Sequence, residues 1–177
     1  MKVVAFGASN SKASINKKLA TYAASMVEGA QVEVLDLNDY PLPLFGEDKE
    51  AEIGQPQPAK SFVDKLGSAD AIVVSLAEHN GSYTAAYKNL FDWASRINRE
   101  VFQQKPVIYL ATSPGPGGAA SVLASAVGSA QFFGADVKGS LSIPSFYDNF
   151  DLEAGVLKSE VIQQQLAQTM STLFTAE

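Results

Sequence analysis

The chain has 177 residues, of which 46% are hydrophobic and 18% are charged, as is typical of a globular protein with one substantial core. Its formal net charge is −6, and its 13 Lys and Arg residues are scattered, which argues against a nucleic-acid partner. The sequence has no Cys and one His, so disulfides and thiolate chemistry are excluded and a metal site is not expected. Any redox chemistry would therefore need a bound cofactor.

No apolar stretch approaches the roughly 18 residues that a membrane-spanning helix needs. The run VVAF at residues 3–6 is also too short for the apolar region of a signal peptide. We therefore expect a cytoplasmic protein with no membrane partner, folded as a single domain over residues 1–177.

Strand-like and helix-like segments alternate along the chain. Apolar runs bounded by turn residues predict five strands, at 2–6, 31–37, 71–77, 106–112 and, more weakly, 136–143. Apolar residues at three- and four-residue spacing predict a helix after each strand, at 15–27, 58–68, 84–97, 118–133 and about 158–174. The first, third and fourth runs are continuous rather than alternating, as in parallel strands covered on both faces, whereas the second alternates and is expected at an edge.

Residues 40–58 contain four prolines between the second strand and the second helix, which predicts a long surface loop without regular structure. Five successive pairs of strand and helix predict an open, doubly wound α/β fold. We expect the flavodoxin-like arrangement, a three-layer sandwich in which a five-stranded parallel sheet of order 2-1-3-4-5 carries helices on both faces.

In such a sheet, ligands bind outside the carboxyl ends of the strands, at the point where the strand order reverses. For the order 2-1-3-4-5 this point lies between the first and third strands. The loops expected to form a site are therefore residues 7–16, 77–84 and 112–118.

The first of these loops, GASNSKASIN, is rich in hydroxyl and amide side chains and leads into the first helix. A helix N-terminus presents unpaired N–H groups and a partial positive charge, which favour a phosphate. The polar groups that the loop offers to it are Ser9, Asn10, Ser11, Ser14 and Asn16, with Ile15 opening the helix. The loop lacks both the G-x-G-x-x-G pattern of dinucleotide sites and the P-loop pattern. The alternative interpretation is that Ser14 only caps the helix.

The second and third loops carry turn residues. Asn80, Gly81 and Ser82 form a turn that can direct backbone N–H and amide groups at a planar heterocycle. The third loop, TSPGPGGAA at 112–120, has three glycines that allow the backbone to approach a flat ring and its N–H groups to stabilise negative charge on it. Together the three loops predict a nucleotide-like ligand.

The helix after the second loop has a face rich in aromatic residues. This face consists of Tyr87, Leu90, Phe91, Ala94 and Ile97, with Trp93 expected beside it. Three- and four-residue spacing indicates a packing face first of all, in the core or at a subunit interface, and ligand contact is the alternative.

The three loops resemble, in order and over nearly the whole chain, motifs of the NADPH-dependent FMN reductase family, whose flavodoxin-like members include quinone, azo-dye and chromate reductases. The segment ASNSKASINKKLA (8–20) is similar to the first motif, G-S-x-R-x-x-S-x-N-x-x-L-A. The segment AEHNGSYTAAYKNLFDW (77–93) is similar to the second and most specific motif, P-E-Y-N-G-S-x-P-x-x-L-K-N-x-I-D-W. Residues 113–118 are similar to a shortened S-x-G-x-x-G-G.

This resemblance implies an FMN cofactor whose phosphate is held by Ser9, Ser11, Ser14 and Asn16, with NADPH or NADH as the electron donor. The residues it implies around the isoalloxazine ring are Glu78, His79, Asn80, Gly81, Ser82, Ser113, Pro114, Gly115, Gly117 and Gly118. Ser11 stands where the family has arginine, so one charge-assisted phosphate contact is lost. His79 replaces a tyrosine and is a candidate to border the ring or a substrate, and Ala77 replaces a proline. No other catalytic side chain is expected, because FMN carries the chemistry.

The resemblance also implies the reaction and the assembly. A nicotinamide would deliver hydride to the flavin and leave, and a flavin, quinone or similar small acceptor would then take the electrons at the same face. A homodimer or homotetramer is implied, with the helix bearing KNLFDW near the interface. The alternative is a flavodoxin-like electron carrier without a nicotinamide site, although the second motif does not look like a flavodoxin loop. A receiver-like domain is excluded, because Gly7, Ala8, Leu76 and Ala77 stand where it would need acidic residues.

Overall fold

The computed structural model describes residues 1–174, and the last three residues of the expected domain, 175–177, lie outside the described part. The strands, in chain order, are β1 (Lys2–Ala8), β2 (Gln31–Leu35), β3 (Ala71–Leu76), β4 (Glu78–His79), β5 (Ser82–Tyr83), β6 (Lys105–Thr112), β7 (Ala135–Ile143), β8 (Phe150–Asp151) and β9 (Val156–Leu157). The α-helices are α1 (Ile15–Ser25), α2 (Glu47–Ile53), α3 (Gln57–Gly67), α4 (Ala85–Ile97), α5 (Ala120–Ser129), α6 (Phe146–Asn149) and α7 (Glu160–Ser171). Short 3₁₀ turns lie at Leu37–Asp39, Ala130–Phe133 and Thr172–Phe174.

The main sheet has five strands in the order β2-β1-β3-β6-β7, and every neighbouring pair is parallel. This confirms the predicted flavodoxin-like order and the edge position of β2. The strand order reverses between β1 and β3, as expected. Two short antiparallel hairpins, β4–β5 and β8–β9, were not predicted.

Successive side chains of the central strands face opposite sides of the sheet, so each side has its own core. On one side Phe6 and Val74 lie in the cluster that α3, α4 and α5 cover. On the other side Ala5 and Val73 lie in the cluster that α1 and α7 cover. The continuous apolar character of the central strands therefore reflects burial on both faces.

Gly7 sets the position of α1 on the sheet. A Cβ atom at this residue would lie 2.4 Å from the backbone nitrogen of Lys17 and 2.9 Å from the carbonyl carbon of Asn16. The absence of a side chain therefore lets the first turn of α1 approach β1 closely. This contact places the N-terminus of α1 at the carboxyl end of β1.

The prediction that residues 40–58 form a loop without regular structure was wrong, because this segment contains α2 and the start of α3. The four prolines lie at positions 41, 43, 56 and 58, so the stretch between them is free to form a helix. Acidic residues in the first turn of α2 favour its N-terminus, and Gly54 ends it with φ of 71°. Pro58 lies in the first turn of α3, where a missing N–H costs nothing.

Several predicted elements end earlier or begin later than expected, and for two of them the local geometry gives the reason. The strand predicted at 31–37 ends at Leu35, because the side chain of Asp36 accepts a hydrogen bond from the backbone N–H of Asn38 and starts a 3₁₀ turn. The helix predicted at 118–133 begins at Ala120, because Gly118 and Ala119 have φ of 58° and 57°.

Trp93 lies beside the packing face of α4, outside the core cluster that contains Tyr87 and Leu90, and it is fully buried. Its indole Nε1 donates a hydrogen bond of 2.8 Å to the carbonyl oxygen of Pro43, and the ring of Phe45 packs edge-on at 5.1 Å. The side chain of Asn89 also bonds to this segment, donating to the same carbonyl and accepting from the N–H of Phe45. The segment 43–45 therefore covers α4, which sequence spacing could not indicate.

Candidate functional site

The three loops expected at the switch point meet at one cleft of about 200 Å³. It is lined by Ser9, Ser11, Ala13, Ser14, Ile15, Asn16, Ala77, Glu78, His79, Thr112, Ser113, Pro114 and Tyr147. The topology brings these residues together because the carboxyl ends of β1, β3 and β6 are neighbours in the sheet.

The first loop presents hydrogen-bond donors at the N-terminus of α1. Ser14 caps the helix, with its Oγ accepting from the backbone N–H of Lys17 at 3.1 Å, as the alternative interpretation of this residue predicted. The Oγ of Ser9 accepts from the N–H of Ser11 at 3.1 Å, which shapes the preceding turn. Across residues 1–174, the N–H groups of Ile15 and Asn16 find no protein acceptor. These donors, with no acidic residue in the first turn, fit an anionic group such as a phosphate.

The side chain of Asn16 is engaged inside the protein. It is 2% exposed, and its Oδ1 accepts from the hydroxyl of Ser75 at 2.7 Å and from the N–H of Thr112 at 3.1 Å. Its Nδ2 donates to the carbonyl oxygen of Thr112 at 3.1 Å. The amide therefore joins α1 to β3 and β6, and only the backbone N–H of Asn16 is left for a ligand. A serine within the apolar strand β3 is the sequence signal for this contact.

Glu78 lines the cleft but its carboxylate is directed to a helix. Its Oε1 accepts a hydrogen bond of 2.7 Å from the backbone N–H of Val122, in the first turn of α5. The N-cap residue of α5, Ala119, has no side chain able to make this bond. Glu78 therefore caps α5 from the second loop and so fixes the third loop relative to the second.

The rest of the second loop forms the hairpin β4–β5. Asn80 and Gly81 have φ of 54° and 75°, which is typical of the two-residue turns that join antiparallel strands. His79 is exposed and lines the cleft, whereas Asn80, Gly81 and Ser82 are exposed and lie outside its lining. Contact of these three residues with a flavin ring stays a prediction.

The third loop is pinned by the segment that follows β7. The carbonyl oxygen of Ser113 accepts from the N–H of Phe146 at 3.0 Å, and that of Gly115 accepts from the N–H of Ser145 at 2.9 Å. A Cβ at Gly118 would lie 2.4 Å from the Oγ of Ser142, which donates to the carbonyl oxygen of Gly118. Ser113 and Pro114 line the cleft, whereas Gly115, Gly117 and Gly118 do not.

Tyr147, in α6, is the cleft residue that sequence reasoning missed most clearly. It is 53% exposed and lies at the rim, next to the buried Phe146. The same rule that pointed to the other loops would have indicated it, because α6 follows the carboxyl end of β7. Ala13, Ala77 and Thr112 also line the cleft, although none of them was predicted to contact the ligand.

The surroundings of the first loop are basic although the chain is acidic. Lys12, Lys17 and Lys18 line a groove along α1 that shares Ser14 with the cleft. Lys17 pairs with Asp36 at 2.5 Å, and this contact, helped by the N–H of Asn38, holds the pKa of the Asp36 carboxyl below its usual value. Lys12 and Lys18 form no ion pair with the described residues, so their charge favours an anion at the first loop.

Residues 1–174 contain no group of three or more His, Asp or Glu side chains arranged to hold a metal ion. None of their helices is both long enough and apolar enough to cross a membrane.

Comparison with known proteins identifies relatives of this chain. An NAD(P)H-dependent FMN reductase from Pseudomonas aeruginosa is 31% identical over 174 residues, covering 94% of this chain and 91% of its own. An NADPH:quinone oxidoreductase from Arabidopsis thaliana is 34% identical over 68% of this chain, but the match spans only 62% of that enzyme. Among solved structures, a flavoenzyme NAD(P)H:(acceptor) oxidoreductase from Paracoccus denitrificans superposes with a TM-score of 0.80 at 25% identity, covering 97% of this chain and 94% of its own.

The family model of the NADPH-dependent FMN reductases matches residues 1–148, which include all three loops of the cleft. This confirms the resemblance that the loop motifs indicated, and it favours the reductase over the electron carrier. The chain therefore belongs to the NADPH-dependent FMN reductase family and is an oxidoreductase with FMN as cofactor and NAD(P)H as electron donor.

Proposed function

We propose that this protein reduces a small acceptor of the quinone class with electrons from NAD(P)H, through FMN bound in the cleft of the three loops. The observation that carries the proposal is the set of donors at the N-terminus of α1, where Ile15 and Asn16 line the cleft and their N–H groups have no protein acceptor among residues 1–174. The phosphate of FMN is an anionic group of the kind that such a helix terminus binds.

In this proposal the phosphate is held by the hydroxyls of Ser9 and Ser11 and the N–H groups of Ile15 and Asn16. Ser14 keeps the helix terminus in place as its cap. The flavin ring lies toward His79 and the Ser113–Pro114 part of the third loop, and His79 borders the ring without a required proton-transfer role. FMN supplies the chemistry, since it accepts a hydride from NAD(P)H and passes two electrons to an acceptor.

A quinone-class acceptor is supported by the names of several relatives. Proteins from Arabidopsis thaliana, a Burkholderia species and Pseudomonas putida that match at 30–34% identity are named quinone oxidoreductase or quinone reductase. The proposal includes a homodimer or homotetramer in the cytoplasm. It also includes no binding to nucleic acid or to membranes, which is supported by the net negative charge and the scattered Lys and Arg residues of the chain.

The first test is optical. The purified protein is mixed with FMN and desalted, and its visible spectrum is recorded before and after anaerobic addition of NADPH or NADH. Retained flavin bands that bleach and then recover when 1,4-benzoquinone is added are expected. Retained bands that neither donor bleaches, with a one-electron semiquinone on photoreduction, would indicate an electron carrier instead. A larger kcat/KM for free FMN than for 1,4-benzoquinone would contradict the quinone assignment.

The phosphate site is tested by Ile15→Pro. Proline is tolerated at the first position of a helix, so this change deletes one N–H while the helix remains. We expect FMN affinity to fall about tenfold, because hydrogen bonds to a charged group are among the stronger ones. Ile15→Val controls for lost packing, and Ala85→Pro makes the same change at the exposed first residue of α4, outside the cleft. Equal affinity of Ile15→Pro and Ala85→Pro would exclude the N–H of Ile15 from the phosphate site.

A further inference from the structure

Thr84 lies between the hairpin β4–β5 and α4, and it does not line the cleft. It stands where the second motif has proline, and it is 1% exposed. Its backbone φ of −62° is one that proline also adopts, so the conformation at this position does not require threonine. What threonine adds at this position is therefore its side chain.

The hydroxyl of Thr84 forms two hydrogen bonds inside the protein. It donates to the carbonyl oxygen of Ala8, 76 residues earlier in the chain, at 2.9 Å. It also accepts from the backbone N–H of Tyr87 at 3.2 Å, which makes Thr84 the N-cap of α4. A hydroxyl has one donor and two acceptor positions, so a single group can form both bonds. Thr84 therefore joins the end of β1 to the N-terminus of α4.

The bond to Ala8 orients the peptide group with which the first loop begins. The Ala8 carbonyl and the Ser9 N–H belong to this same peptide group, and the N–H donates to the carbonyl oxygen of Gly7 at 2.8 Å. Both polar atoms of the group are therefore engaged. The Oγ of Ser9 in turn accepts from the N–H of Ser11 at 3.1 Å. The backbone that carries both serine hydroxyls thus starts from a fixed orientation.

Thr84 completes a set of three contacts that join the loops of the cleft in pairs. Asn16 joins the first loop to the third, and Glu78 joins the second to the third. Thr84 joins the second loop to the first, and each of the three side chains bonds to a backbone group. We propose that Thr84 is a positioning residue for FMN, which holds the first loop in the conformation that binds the phosphate. This inference rests on the proposed phosphate site at Ser9, Ser11 and the N-terminus of α1.

The test compares three variants of Thr84 in titrations of the full-length apoprotein with FMN, followed by quenching of flavin fluorescence. Thr84→Val keeps the shape of the side chain without its hydroxyl, Thr84→Pro keeps the backbone conformation without it, and Thr84→Ser keeps the hydroxyl. We expect the Kd for FMN to rise about three- to tenfold in the first two variants and to stay within about twofold of the parent in Thr84→Ser. The Kd for riboflavin, which lacks the phosphate, should not change in any of them.

Ser159→Ala is the matched control for the loss of a helix cap. The Oγ of Ser159 accepts from the N–H of Ile162 at the N-terminus of α7, and Ser159 does not line the cleft. This variant should have a lower unfolding temperature and an unchanged Kd for FMN. Thermal unfolding shows which variants remain folded, and Thr84→Pro provides the readout if Thr84→Val does not fold.

Three results would overturn the positioning role. They are an unchanged Kd for FMN in the folded variants that lack the hydroxyl, an equal rise of the Kd in Ser159→Ala, and an equal rise for FMN and riboflavin. If the parent protein itself retains no FMN, the proposed function fails. If the parent binds FMN and the variants bind it equally well, only the role of Thr84 fails.

Discussion

Asn16 and Thr112 lie 96 residues apart in the chain, yet the side-chain amide of Asn16 forms two hydrogen bonds of 3.1 Å with the main chain of Thr112. One runs from the amide nitrogen to the Thr112 carbonyl and the other from the Thr112 N–H to the amide oxygen. The first and third loops of the cleft are therefore held together by a side chain that donates to and accepts from the main chain, as a neighbouring strand would.

The change Asn16→Asp tests this contact, because aspartate keeps the shape but cannot donate to the Thr112 carbonyl. We expect a loss of about 2–3 kcal/mol in the free energy of unfolding at pH 7, since a buried carboxylate would face a carbonyl oxygen. Urea denaturation measures the effect. Ser75→Ala, which removes one bond to the Asn16 oxygen, should cost only about 1 kcal/mol, and the exposed Asn10→Asp should cost almost nothing. A cost for Asn16→Asp as small as that for Asn10→Asp would show that the contact contributes little.

Ser11→Arg should strengthen the binding of FMN. Ser11 lines the cleft where the family motif has arginine, and a guanidinium there can pair with the phosphate through two hydrogen bonds. We expect the Kd for FMN, measured by quenching of flavin fluorescence, to fall about tenfold. Asn10→Arg adds the same charge one residue earlier, beside a different surface pocket formed with Leu37 and Tyr40. If both variants lower the Kd for FMN equally, long-range charge rather than a contact at position 11 is responsible.

Gly7→Ala should destabilise the fold by about 2–4 kcal/mol, because the new Cβ would lie 2.4 Å from a backbone atom of α1 that cannot move alone. The variant should also bind FMN more weakly, since α1 would be pushed away from the cleft. Gly128→Ala is the matched control, because its Cβ meets no atom within 4 Å inside α5. Thermal unfolding should show Gly128→Ala as stable as the parent or up to about 1 kcal/mol more stable. A Gly7→Ala protein with unchanged unfolding would refute the close approach of α1.

Glu33 links the edge strand β2 to its surroundings, since its carboxylate pairs with Lys2 at 2.8 Å and with Lys65. Hydrogen bonds from these lysines lower the pKa of Glu33 below its ordinary 4.5. A carboxyl whose pKa is lowered by folding stabilises the protein above its unfolded pKa, and this stabilisation is lost as the pH falls through the lower folded value. Glu33→Gln should therefore lose less than about 1 kcal/mol at pH 7, and the difference from the parent should shrink as the pH falls below 4.5 and vanish below the lowered folded pKa.

Urea denaturation across this pH range measures the difference for Glu33→Gln. Glu28→Gln is the control, because Glu28 is exposed and forms no ion pair within the described residues. A Glu33→Gln penalty that persists unchanged at acid pH would mean that the glutamate acts through packing and not through its charge.

The sheet could be predicted from sequence because each strand is marked by an apolar pattern within its own residues. The six residues of β3 are all fully buried, and their continuous apolar run is visible without any knowledge of the neighbours. Helix α2 shows the opposite case, since none of its residues is buried and no apolar face marks it. Its seven residues depend on acidic residues in the first turn and on Gly54, signals that the four flanking prolines obscured.

The meeting of the three loops also followed from sequence, because strand order alone decides which carboxyl ends are neighbours. The partners of individual side chains did not. Asn16 was expected to face a phosphate, and Glu78 a flavin ring, but each bonds to the backbone of a residue 96 or 44 positions away. The sequence shows which hydrogen bonds a side chain can form. Its actual partner depends on how the helices pack, which the sequence does not show.

Trp93 is the single tryptophan of the chain, and its indole contacts Pro43 through a hydrogen bond and Phe45 through an edge-on ring contact. Intrinsic indole emission from this protein therefore reports on one place, the docking of the segment before α2 onto α4. A red shift of that emission, at a denaturant concentration where far-ultraviolet circular dichroism is unchanged, would record release of this segment alone. The protein thus carries a built-in optical probe that can follow local opening without any label.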